Sequence, residues 1–227
     1  MAADKSGQWR FANAVRLAAE DSDKGEYTVE YTIDEDFLAD DATTYPVSVT
    51  HSINLYKPKQ PDSTAYENTG ETAGHYLSPY FLTGDTTTKG EGWTYVRYET
   101  LNSLPIAADK IISARYIFYN LFDAPKEVLI GAYAVTGEWG SLSIRWSNRP
   151  SNDKTPVSQT PVQKAGEYSL DITTLFQEML KNKNNKNTKY SVSKSFMFKS
   201  DTAGSGLIFP SGDGGLYSPY LEIVLSE

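Results

Sequence analysis

From Glu26 the chain alternates: Tyr27, Val29, Tyr31 and Ile33 are separated by Thr28, Glu30 and Thr32, the period of two expected of a strand with one buried face. The acidic run Asp34 to Asp41 predicts a short helical turn or loop, after which Tyr45 to Ile53 reads as a second strand with Pro46 at its start. Lys57 to Gly74 carries Pro58, Pro61, Asp62, Ser63, Asn68 and Gly70 with no hydrophobic period, which predicts a long surface loop. Strand-like runs then follow at His75–Leu82, Trp93–Leu101, Lys110–Phe122, Val128–Val135 and Leu142–Trp146, with turn clusters between them such as Gly84-Asp85-Thr86 and Asp123-Ala124-Pro125. In the longest, Ile112, Ala114, Tyr116 and Phe118 form the expected core face, and Ile117 and Tyr119 imply that the opposite face is partly covered.

One segment changes period. Ile172, Leu175, Phe176, Met179 and Leu180 recur at helical spacing, with Asp171 or Thr173 as N-cap and the Lys- and Asn-rich stretch Lys181–Lys189 as a solvated stop. Three closing strands are predicted around Phe196–Phe198, Leu207–Phe209 and Tyr220–Leu225, set apart by Gly-rich turns. About ten strands and one short amphipathic helix predict an all-β, two-sheet β-sandwich of the jelly-roll kind. Residues 1–25 give only a weak helical or irregular pattern, from Phe11, Val15 and Leu17. A single sandwich is expected over 26–227, with the strands of 26–60 packing on a 75–227 core.

Composition narrows the function. The chain has 227 residues, 16 tyrosines against 3 methionines, and a formal charge of −8. It has no positive field to attract nucleic acid or anionic lipid. With no cysteine, disulfides, thiolate catalysis and cysteine-held zinc are excluded. No apolar run of about 18 residues and no charged-then-apolar leader occurs, so an export signal is expected to lie outside this sequence. For an enzyme, His51 and His75 stand apart from any nucleophile motif, and no metalloprotease or phosphate-loop motif is present. The reading is that the protein is not an enzyme.

The ordered series Tyr95-Val96-Arg97-Tyr98, Leu104-Pro105, Ile112 to Tyr119, Ser143 to Pro150, Leu170 to Thr173 and Ser218 to Ile223 resembles the DNRLRE domains. Tyr45 to Thr50 resembles the segment that precedes such domains in bacterial wall-associated RHS-repeat proteins. The resemblance implies a jelly roll similar to carbohydrate-binding modules, in a secreted or cell-wall-associated bacterial surface protein. Its implied partner is a polysaccharide or cell-wall glycan. The rival reading is a structural or adhesive spacer that binds neighbouring surface-protein domains or a host protein.

Sugar recognition needs flat apolar faces beside a few orienting polar groups. Trp93, Tyr95, Arg97, Tyr80 and Tyr217 are the candidates for ligand binding, with Trp93, set among glycines, the best exposed aromatic. Trp146 reads as a core side chain, and Trp139 as a rim packing residue or a sugar platform. No cofactor is implied except calcium, for which Asp85, Asp201 and Asp213 in Gly- or Thr-rich loops are candidates, although no EF-hand spacing occurs.

Overall fold

The computed structural model describes residues 2–3, 9–10, 14–21, 26–44, 48–49, 51–56, 62–67, 78–86, 89–98, 106–182, 184, 194–212 and 217–226, with side chains described from Thr32 onward except for 48–56 and Thr86. The chain divides into two compact units, 1–52 with 225–227, and 53–224.

In the first unit, β1 (Ala2–Ala3), β2 (Trp9–Arg10) and β5 (Ser48–Val49) form a three-stranded antiparallel sheet, and β3 (Ala14–Asp21) pairs with β4 (Glu26–Thr32). The alternation at Tyr27 to Ile33 thus became a strand, but so did the segment expected to be helical or irregular, since Val15 pairs with Tyr31 and Leu17 with Val29. The partner strand, not the local pattern, fixes its conformation. Phe11 lies outside the described residues. Helix α1 (Glu35–Ala39) is the expected acidic turn, capped by Asp34, whose Oδ1 accepts from the Asp36 amide at 3.0 Å.

The second unit is a sandwich of two antiparallel sheets. Its strands are β6 (His51–Tyr56), β7 (Asp62–Tyr66), β8 (Tyr80–Thr86), β9 (Gly90–Arg97), β10 (Ile111–Asn120), β11 (Val128–Ala134), β12 (Ser158–Val162), β13 (Gly166–Asp171), β14 (Ser195–Ser200), β15 (Gly206–Pro210) and β16 (Tyr220–Leu225), with helix α2 (Thr173–Lys181) between β13 and β14. One sheet runs β13-β10-β16-β6; the other runs β12-β11-β14-β9-β8-β15, with β7 also paired to β9. Rings from both sheets meet in the middle: Tyr116 of β10 lies 5.0 Å from Phe196 of β14, and Phe118 lies 4.9 Å from Phe209 of β15, both edge to face. On the inner face of the larger sheet, Thr94 Oγ1 lies 2.9 Å from Thr64 Oγ1 and 2.8 Å from Thr83 Oγ1, so the buried hydroxyls bond one another.

Helix α2 buries Leu175, Phe176, Met179 and Leu180, the residues its periodicity marks, and Phe176 meets Tyr98 edge to face. The residue before it, Ile172, makes no side-chain cap; instead Asp171 Oδ1 accepts from both the amide and the hydroxyl of Thr173. Among the described residues no helix is long and apolar enough to cross a membrane.

Several expectations are corrected. Within the supposed loop of 57–74, Asp62–Tyr66 is a strand buried at every position. Its polar residues are sequestered by pairing with β9 and by bonds such as Gly212 N to Asp62 Oδ2 at 3.0 Å, so a search for hydrophobic alternation passes over it. Leu142–Trp146 is not a strand but a turn leading into a 3₁₀ turn at Trp146–Asn148, and Leu142 is exposed. Two unpredicted strands, β12 and β13, are edge strands whose exposed positions are Gln159, Pro161, Glu167 and Asp171. Pro161 is tolerated in β12 because an edge leaves one side of the backbone without a partner strand. On β10, Ala114, Tyr116 and Phe118 are buried as expected; Ile112 is exposed, and Ile117 on the opposite face is buried.

Candidate functional site

Alternation along β9 sends Thr94, Val96 and Tyr98 inward and leaves Glu91, Trp93, Tyr95 and Arg97 on the outer face of the larger sheet. The register extends this face across neighbouring strands: Ala65 lies beside Trp93, Met197 beside Tyr95, Tyr133 beside Met197, and Gly131 between Lys199 and Gln159. A long connection closed by Thr136 N to Ser151 O (2.7 Å) and Asp153 N to Ala134 O (2.9 Å) folds over it. It brings Trp139 and Ile144 into one apolar cluster with Ala65, Tyr95, Tyr133, Val135 and Met197, against which Trp93 and Trp146 pack.

This layer is pinned by polar bonds. Trp139 is buried, as its packing role requires; its Nε1 donates to Ser195 Oγ at 3.0 Å, and Arg97 donates to its carbonyl at 2.6 Å. Trp146, expected in the core, sits half-buried at the surface of the layer, its ring 5.2 Å from Trp93 in an edge-on pair. The Arg149 guanidinium lies 3.5 Å from the centre of the Trp146 ring and 4.6 Å from that of Trp93. Trp93 is therefore a half-buried member of a Trp-Arg-Trp assembly rather than a free platform, and its Nε1 donates to Glu91 Oε1 at 2.7 Å.

Next to this assembly the surface opens into a cleft of about 410 Å³, lined by Glu67, Asp85, Glu91 and the run Lys199 to Gly204. Two glycines shape it. Gly84 adopts φ +94, in the region glycine favours, and this resets the alternation of β8, so that Thr83 faces the core while Asp85 stands directly opposite Glu91. Gly131 leaves room for a carboxylate: a Cβ there would stand 2.2 Å from Asp201 Oδ2. In that space Asp201 accepts from Tyr133 Oη (2.6 Å) and Lys199 Nζ (2.7 Å) through Oδ1, and from Gln159 Nε2 (2.8 Å) through Oδ2. Burial pushes the Asp201 carboxyl up, but the bonds from Lys199, Tyr133 and Gln159 together outweigh it and hold it below its ordinary range. Burial, with the Asp201 bond adding to it, raises the Tyr133 phenol.

Of the residues predicted from sequence, Trp93, Tyr95 and Arg97 do share one face. Tyr95 is fully buried under the layer, and its phenol oxygen has no hydrogen-bond partner; burial first, then the nearby Glu91, raises its pKa against the lowering effect of Arg149. Tyr80 is exposed at the start of β8. Tyr217 stacks at 4.3 Å on Tyr119 of β10, which belongs to the other sheet, so the structure does not bring it to the Trp93 face. Asp85 and Asp201, the calcium candidates, both line the cleft, and Asp213 lies outside the described residues. Among the described residues no three acidic or histidine side chains converge as a metal site. Of the two histidines, His75 and the side chain of His51 lie outside the described residues.

Sequence reasoning missed Arg149, Glu91, Glu67 and Lys199. Two signals pointed their way: Glu91 and Trp93, and Lys199 and Asp201, sit two apart on strands or strand ends, and Gly131 interrupts an apolar strand, a mark of close approach.

The family model of carbohydrate-binding module family 96 matches residues 82–224, more than half of the chain. The chain belongs to that family. No curated protein matches it. The match spans β8 to β16; β7 and Glu67 precede it, so one wall of the cleft comes from outside the matched region.

Proposed function

We propose that this member of carbohydrate-binding module family 96 is a non-catalytic domain that holds a glycan in the outer-face cleft beside Trp93, Arg149 and Trp146. The observation that carries the reading is the cleft itself: about 410 Å³, within the roughly 300–1,000 Å³ usual for small-ligand sites. Carboxylates are acceptor-only groups and suit the many hydroxyl donors of a sugar, while the indoles of Trp93 and Trp146 offer apolar edges to its C–H faces. Asp201 is occupied by Lys199, Tyr133 and Gln159, and membership of a carbohydrate-binding module family supports binding without turnover. The likeness to DNRLRE domains supports a place in an exported bacterial surface protein, with wall or extracellular polysaccharide as the partner.

The test is affinity electrophoresis and calorimetry against a panel of soluble polysaccharides. Asp85→Ala is expected to weaken binding about tenfold or more, the scale of a lost charged hydrogen bond, with little change in melting temperature because Asp85 is exposed. Full binding by Asp85→Ala together with loss in Tyr217→Ala would move the site to the Tyr119–Tyr217 stack and overturn this placement.

A further inference from the structure

The smaller sheet carries an aromatic pair on its outer face. Along β10, Tyr116 and Phe118 point inward to meet Phe196 and Phe209, so Tyr119 stands on the outside of the sandwich. Tyr217 lies over it, the ring centres 4.3 Å apart and the planes 18° apart. One face of the Tyr217 ring is spent on this stack. The residue is nevertheless 51% exposed, which leaves the other face to water.

The backbone holds that ring in place at a cost. Tyr217 adopts φ +70, the left-handed region where a Cβ crowds the backbone and where glycine would sit without strain. The connection that leads to it is fixed at its start. There the Ser211 amide donates to the Pro79 carbonyl at 2.9 Å, and the Gly212 amide to Asp62 Oδ2 at 3.0 Å. Burial of the Tyr217 side chain does not offset the strain, because half of it remains in solvent. Strained residues of this kind gather at ligand clamps. The neighbour of the stack is polar: Glu167 is the direct cross-strand partner of Tyr119, on the same face and exposed. Among the described residues no hydrogen bond or ion pair engages its carboxylate.

We infer that the Tyr119–Tyr217 stack is a second glycan-contact site, taking the C–H face of one pyranose on the Tyr217 ring and a hydroxyl of the same sugar on Glu167. The inference shares with the proposed function the reading of this domain as a glycan binder, but it does not depend on the cleft. A flat ring face with an acceptor-only carboxylate beside it suits a sugar, which offers apolar C–H groups and hydroxyl donors together. Two rings are far too small for a stable protein interface, which buries roughly 800 Å² per partner. Tyr119, Glu167 and Tyr217 all fall within residues 82–224, the part of the chain matched to the carbohydrate-binding family. The stack and the cleft lie on opposite sheets, across a sandwich about 10 Å thick, so a single domain can hold two glycan strands at once.

The experiment titrates the full chain by calorimetry with hexaoses of β-linked glucose, mannose, xylose and N-acetylglucosamine. Two binding events per chain are expected for at least one of them. Tyr217→Gly keeps the left-handed backbone without strain and should fold; it is expected to weaken one event about tenfold or more, the scale of a lost aromatic contact. Tyr217→Phe keeps the ring face and should retain both events, and Asp85→Ala should remove only the other. A readout that needs no variant is nitration of Tyr217 by tetranitromethane, which should slow about tenfold with oligomer at ten times its dissociation constant. Both events persisting in Tyr217→Gly, or nitration unaltered by the oligomer, would overturn the second site and leave the cleft standing. A single event that Asp85→Ala abolishes and Tyr217→Gly spares would do the same. A single event abolished by Tyr217→Gly and spared by Asp85→Ala would uphold the stack and overturn the cleft. Failure of every oligomer and of the polysaccharide panel would remove both readings.

Discussion

Gly131 is where the cleft is most sensitive to a single atom. The position is outside the positive-φ residues, so an alanine meets no backbone strain there. Its Cβ, however, would stand 2.2 Å from Asp201 Oδ2 and 2.9 Å from Tyr133 Cε2. The carboxylate has to leave, and with it go the bonds from Tyr133, Lys199 and Gln159 at 2.6, 2.7 and 2.8 Å. Each is a charge-assisted bond worth about 1.5–3 kcal/mol net. Because a displaced Asp201 recovers part of this from water, we expect a loss of about 2–3 kcal/mol for Gly131→Ala, or roughly 5–10 °C in melting temperature for a chain of this size. In an Asp201→Ala background the obstruction is gone and Tyr133 is free to shift. There the same substitution should be neutral or stabilise by about 0.5 kcal/mol through the unfolded chain. Urea and thermal unfolding of the four proteins measure this directly. Equal cost of Gly131→Ala in both backgrounds would refute the account of the glycine as the seat of the carboxylate.

Acid titration offers a second check on Asp201. Its folded pKa is lowered, so its contribution is fully present above the unfolded value of about 3.9 and is lost as pH falls through the folded value; the melting-temperature gap between wild type and Asp201→Asn should be widest near neutrality and close below about pH 4. Trp139→Phe removes the 3.0 Å bond to Ser195 Oγ and underfills a buried site, and should cost about 1–3 kcal/mol in urea unfolding; an unchanged midpoint would mean that the layer over the sheet is not anchored there. Phe118→Ala empties the centre between the sheets, where Phe118 meets Phe198, Phe209 and Tyr168. A loss of about 3–5 kcal/mol is expected, and a loss below about 1 kcal/mol would contradict the packing described.

The residues by themselves determined the class of fold, because burying one face of a strand forces alternation, and one side of a helix forces the 3.6-residue repeat. Hence the strands around Tyr116, Ile130, Phe196 and Ile223 and the helix from Thr173 to Lys181 were legible, whereas the shared face of Trp93, Tyr95 and Arg97 came from the structure. What tertiary structure decided are the places where burial is polar or partners are distant. Asp62–Tyr66 is buried through pairing with β9, Val15 and Leu17 are extended because β4 lies beside them, and Leu142–Trp146 is drawn over the sheet as a covering layer. The cleft belongs to this second group. Asp85 and Glu91 sit on consecutive strands, but Glu67 and Asp201 lie elsewhere in the chain, and no local period records that the register of β8 and β9, the φ of Gly84 and the missing side chain of Gly131 bring them to one cleft. A sequence encodes the preference of each residue for water or for the interior; which carboxylates end up facing one another is settled only when the strands that carry them have paired.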